Sequence, residues 1–95
     1  MKYDLERPLM SFGQFMHYMR TNGVRPSAQK YIEYIILKLV HEKTKQGKVL
    51  SLGELFKVLK EQSLRDKRFQ YTRHQVFQIV KAMVRRGEIE ALARL

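Results

Sequence analysis

The sequence predicts a mainly α domain, and three observations carry that prediction. Four stretches repeat apolar residues at helical spacing, a Ser or Thr stands ahead of each, and a glycine follows three of them. Ninety-five residues make one domain with a small core, too short for a deep substrate cleft on a separate catalytic scaffold. Residues 1–26 read as an arm and a first helix and residues 27–95 as the core of a single compact unit.

Along residues 1–10, Pro8 disfavours helix at Arg7, which gives an extended arm. Ser11 and Gln14 have the spacing of a capping box, where each side chain satisfies a backbone donor left unpaired by the first turn. Phe12, Phe15, Met16 and Met19 follow on one face, and Asn22-Gly23 stops the helix, giving residues 11–21. That stripe has two roles open to it: packing on the domain core, or forming a dimer interface.

Ser27 opens a longer helix, residues 27–46, with Ile32, Ile35, Ile36, Leu39 and Val40 as its buried stripe. Lys38, Glu42, Lys43 and Lys45 fall off that stripe or in the fraying end. Gly47 ends it, and residues 48–50 are a short strand or an extended connector. Ser51 and Glu54 form a second capping box, and Leu52, Leu55, Phe56 and Leu59 share a face through residue 62. After the polar, basic link SLRDKRFQY, Thr72 and Gln75 repeat the spacing ahead of a helix over residues 72–86. Val76, Ile79, Val80 and Met83 make its core stripe, and Arg85, Arg86 and Gly87 close it, since cations suit the negative end of a helix. Residues 88–92 alternate as a short strand.

The net charge is +10, from 19 Lys and Arg against 9 Asp and Glu, and predicts attraction to polyanions, nucleic acid first. There is no run of 18 apolar residues, so a membrane span is not expected, and the absence of cysteine removes disulfides, thiolate zinc sites and thiol nucleophiles. The start, MKYDLERP, lacks the apolar core of a secretory signal, and a cytoplasmic protein is expected.

The order of a long helix, a short strand at residues 49–50, the S-x-x-E-L helix, a connector, the Thr72 helix and the strand GEIEAL resembles a winged helix-turn-helix domain. The resemblance covers residues 27–95. It implies a three-helix core with an extra N-terminal helix and short strands, the Thr72 helix entering the major groove while the helix before it braces against the backbone. The link between those two helices exceeds the usual three or four residues, and the residues after 88 leave room for one strand, which implies a reduced wing. A small, basic, cysteine-free protein of this kind also resembles the site-specific DNA-binding components of plasmid partition systems, the archaeal AspA type included. That resemblance implies a homodimer on a palindromic centromere-like site, spreading along DNA, with a partition adaptor and a ParA-type ATPase as partners. Transcriptional repression would use the same residues.

The polar sector of the Thr72 helix holds His74, Gln78, Lys81 and Arg85, with no acidic member, as a surface laid against base edges and phosphates requires. Arg73 sits at the first turn for a phosphate or a guanine edge, beside Thr72 and Gln75. Arg65, Lys67 and Arg68 lie on the link with Phe69 and Tyr71 interleaved, suited to phosphates; equally, Phe69 could pin the loop to the core with the charges solvated. Residues 57–86 carry nine cations against Glu61 and Asp66, a net of +7. Phe77 falls between the two faces of its helix and reads as a core-edge residue.

Catalysis is not expected, nor is a metal or other cofactor. His17, His41 and His74 lie on three different helices without a second ligand at helical spacing, and no glycine-rich phosphate loop or nucleophile elbow occurs. The competing class is a protein-interaction adaptor whose charge serves only solubility.

Overall fold

The computed structural model describes residues 3–93, and over them the chain is mainly helical, with four helices. Helix α2 (Ala28–Lys45) is the longest, and both α3 (Leu52–Arg65) and α4 (Arg73–Arg85) pack against it, while α1 (Phe12–Thr21) covers its first half. Among the described residues no helix is long and apolar enough to cross a membrane.

The helix starts follow the capping chemistry. Ser11 with Gln14 and Ser51 with Glu54 form complete capping boxes, and Ser27 accepts from the Lys30 amide. Thr72 accepts from the Gln75 amide at 3.0 Å, but Gln75 returns no bond, so α4 has a cap where the spacing suggests a box. Gly23, Gly47 and Gly87 all take positive φ beyond helix ends, a conformation glycine enters without steric cost.

One core joins all four helices. Ile32, Ile35 and Ile36 of α2 are buried as the stripe predicts, together with Leu55 and Leu59 of α3 and Val76, Ile79 and Met83 of α4. A second side of α2 is buried as well. Tyr31, Tyr34 and Lys38, three, four and seven residues apart in turn, face α1 and the arm, which no amphipathic count on α2 alone discloses. Tyr31 donates its hydroxyl to the Met10 carbonyl at 2.8 Å, and the Met10 amide donates to the Tyr34 hydroxyl at 2.9 Å. Burial pushes the Tyr31 phenol well above its ordinary range, so it stays a neutral donor.

Lys38 departs from the sequence reading. Its side chain is 4% exposed, and its ammonium donates to the Leu5 carbonyl at 2.6 Å and pairs with Glu42 at 2.9 Å. The arm crossing α2 supplies that carbonyl, a partner far away in sequence. Tyr3 of the same arm lies edge-on to Tyr34 at 5.2 Å and near Phe15 at 5.9 Å, so the arm is a docked strap.

Of the two roles open to the α1 stripe, the core takes it. Phe12, Phe15 and Met19 are buried within the chain and Met16 is half-buried, so a dimer through these four residues would require unpacking α1. Of the two readings of residues 48–50 the connector holds, and the strand expected at residues 88–92 shrinks. Among the described residues what forms is one parallel bridge between Ser51 and Ala93, with the Ala93 amide donating to Leu50 and the Leu52 amide to Ala93. Leu50 and Ile89 are nonetheless buried, so side-chain burial holds these segments where a ladder does not.

The outer clasp of the arm is Glu6, which accepts from His41 at 2.8 Å and from Lys45 at 2.5 Å. Lys45 and then His41 lower its carboxyl from 4.5 to about 2. A depressed carboxylate stabilises the fold in full above its unfolded value and loses that contribution as pH falls through its folded value. In denaturant titrations the wild-type chain should therefore be more stable than Glu6→Gln at neutral pH. That advantage should fade below pH 4.5 and vanish near pH 2; a difference independent of pH would remove Glu6 from the clasp.

Candidate functional site

The connector between α3 and α4, residues 66–72, sets where α4 points. Phe69 is fully buried in it, stacked on Phe12 at 5.3 Å and meeting Tyr31 edge-on at 4.9 Å. Of the two readings of the link, pinning of the loop is therefore what Phe69 does. Tyr71 is half-buried with its ring 5.6 Å from that of Phe69, and burial raises its phenol.

Asp66 organises the rest of the turn. It accepts the Arg68 amide at 3.0 Å and forms a fork with the Arg68 guanidinium, Nη2 at 2.7 Å and Nε at 3.0 Å. The guanidinium holds the Asp66 carboxyl below its usual range. Arg68 also lies 5.8 Å from the Phe12 ring centroid, against the start of α1. Its charge is thus neutralised locally, unlike Arg65 and Lys67, which stand exposed on either side.

Helix α4 presents the expected polar sector. His74, Gln78, Lys81 and Arg85 are all exposed, with Val76, Ile79 and Met83 turned into the core. Arg73 is exposed but not loose, because its guanidinium stacks 4.2 Å from the centre of the Phe56 ring, a cation–π contact that holds it over α3. Thr72 is exposed and occupied as the helix cap, and Gln75 is half-buried. Of the residues the sequence nominates, Arg65, Lys67, Arg73, His74, Gln78, Lys81 and Arg85 are thus exposed and, among the described residues, not paired with a carboxylate. Arg68, Tyr71, Thr72 and Gln75 build the scaffold beneath them.

The charge distribution sharpens this face. Seven of the nine carboxylates form ion pairs, including Glu33 with Arg86, Glu54 with Lys43 and Glu88 with Arg86. Most serve the arm, α2 and the helix ends. Among the described residues, Arg65, Lys67, Arg73, Lys81 and Arg85 pair with no carboxylate and run from the end of α3 through the connector along α4; Arg20, Arg25, Lys30, Lys48, Lys57 and Lys60 are likewise unpaired elsewhere. Fixed cations spaced over an exposed surface attract a polyanion, and the amide of Gln78 adds a donor and an acceptor able to read a base edge.

Sequence reasoning missed one feature beside this face. Phe77 and Val84 are each about one-third exposed and, with Val80 and Leu92, line an apolar groove of about 740 Å³. Phe77 meets Phe56 edge-on at 5.8 Å, so it is a core-edge residue on one side only. The signal was present: residues 77, 80 and 84 form a second apolar line on α4 next to the first. Among the described residues no group of three or more His, Asp or Glu side chains gathers as a metal site would require.

Comparison with protein-family models, with curated proteins and with solved structures gave no match.

Replacing Phe69 by Ala should cost about 3 to 5 kcal/mol in denaturant unfolding, the range for emptying a buried aromatic site. The connector should loosen with it, read as faster amide exchange over residues 66–72. A loss below about 1 kcal/mol would show that Phe69 does not hold the connector.

Proposed function

We propose that this chain binds double-stranded DNA, with α4 laid in the major groove and α3 with the connector set against the backbone, in the manner of a helix-turn-helix protein. The observation that carries the reading is the exposed sector of α4. His74, Gln78, Lys81 and Arg85 face solvent with no carboxylate among them, on a chain that pairs most of its carboxylates elsewhere. Gln78 and Arg85 read bases: an amide suits adenine and a guanidinium suits guanine, each bidentate pair discriminating by roughly 1 to 3 kcal/mol. Arg65, Lys67 and Arg73 take phosphates, and Lys81 takes either.

A winged helix would add a β-hairpin beside the recognition helix. Here one parallel bridge joins Ser51 and Ala93, so groove and phosphate contacts rest on α4 and the connector. Two copies on a palindromic site would add affinity and specificity, and their interface lies outside the buried α1 stripe. The role served is DNA partition or transcriptional repression in the cytoplasm, both of which need this one surface.

Selection from a pool of random duplexes at about 150 mM salt, followed by sequencing, tests the reading. The expected result is an enriched palindromic sequence. Four phosphate contacts, by Arg65, Lys67, Arg73 and Lys81, would give a slope of log K against log salt of about −3.6. Lys81→Glu should abolish retention while leaving the helical circular dichroism intact, and no retention by the wild-type chain would overturn the proposal.

A further inference from the structure

The apolar groove beside the polar sector of α4 has a chemistry of its own. Its floor is Phe77, Val80 and Val84 of α4, closed by Leu52 at the start of α3 and by Leu92 of the final segment. Phe77 and Val84 are 36% and 37% exposed, a large apolar area to leave in water along one helix. Lys81 and Arg85 form its outer rim, and Arg73, stacked on Phe56, extends the cationic edge past Phe77. Among the described residues no carboxylate lines the groove; Glu88 and Glu90 line a neighbouring cleft with Lys48 and Val49, which meets the groove at Ala91 and Leu92.

We infer that this groove docks an acidic amphipathic segment of another protein, presenting two or three apolar side chains along a helix flanked by Asp or Glu. Residues 77, 80 and 84 span about 10 Å along the axis, the length of two turns of a partner helix with anchors at i, i+3 or i+4, and i+7. Charge selects the occupant. A second copy of this chain would bring its own Lys81 and Arg85 to the same rim, and juxtaposed like charges oppose association. With a net charge of +10, the chain also has few acidic segments to offer itself. A carboxylate-bearing partner instead neutralises the rim while its apolar side chains cover Phe77 and Val84.

The docking owes nothing to the DNA reading. One consequence rests on it: Lys81 and Arg85 are shared, so the docked segment displaces DNA and acts as an antagonist.

The test uses two labelled synthetic peptides of about four helical turns, both with Leu at the anchor positions, one with Glu elsewhere and one with Lys. Each is titrated into the full chain and read by fluorescence anisotropy and amide NMR. The expected result is binding of the Glu peptide, roughly tenfold or more tighter than the Lys peptide. Shifts should centre on Val80, Val84 and Leu92, and binding should be lost in Val84→Glu. Phe77→Ala is the second variant, in case Val84→Glu loses its helical circular dichroism; it should weaken the Glu peptide by about tenfold. Equal binding of the two peptides, no binding of either, or unchanged binding by both folded variants overturns the inference. So does a wild-type dimer that Val84→Glu converts to monomer, because the occupant is then a second copy. Displacement of a bound duplex by the Glu peptide confirms the antagonism, and simultaneous binding of both overturns that consequence alone. If the chain retains no duplex at all, the DNA proposal fails while the peptide result still decides the docking.

Discussion

Burial of one aromatic ring inside a polar, positively charged connector is the constraint from which the rest of the surface follows. Phe69 sits between Phe12 of α1 and Tyr31 of α2, and Tyr31 is itself fixed through its hydroxyl to Met10. A seven-residue link with no regular structure would otherwise wander, since ordering its backbone costs about 1 to 2 kcal/mol per residue. Phe69 offsets part of that cost, and the Asp66–Arg68 fork closes the turn before it. The start of α4 is thereby placed, and its polar sector turns outward because Val76, Ile79 and Met83 must turn inward.

The same arrangement decides where charge remains. The arm is strapped across α2 by the Tyr31 and Tyr34 hydroxyls and by Lys38, and clasped at its edge by Glu6. The Glu54 carboxylate accepts from the Ser51 amide and hydroxyl and pairs with Lys43, which ties the start of α3 to the end of α2. Glu6, Glu42 and Glu54 are thus used to hold structure. Isolated exposed pairs of this sort contribute little to stability. Helix α4 itself carries no Asp or Glu, so its exposed face is free of carboxylates of its own.

Much of the helical framework was legible because its signals are local. Ser11, Ser27, Ser51 and Thr72 mark four helix starts, and Gly23, Gly47 and Gly87 mark three ends, through chemistry within a few residues of each. An arm was expected over residues 1–10, but its docking on α2 was not legible. Its partners are a Leu5 carbonyl for Lys38 and a Met10 backbone for two tyrosines, contacts between residues more than twenty positions apart. The strand failed for a related reason: alternation at residues 88–92 shows which side chains can be buried, not whether an edge is there to pair with. Within the candidate site, the exposed members of the α4 sector followed from periodicity. The demotion of Arg68 needed the geometry of Asp66, although the two residues stand only two apart. Phe77 and Val84 were hidden by a count that sought a single apolar stripe where the helix carries two.

If the chain binds DNA as proposed, α4 and the connector act as one continuous surface, with α2 as its support. Amide NMR of the chain titrated with a duplex tests this directly. The prediction is that shifts concentrate on residues 65–67 and 72–85 and leave the arm-facing side of α2, around Lys38 and Glu42, unmoved. Shifts centred on the arm or on α1, or a uniform weak response over all exposed cations, would contradict it.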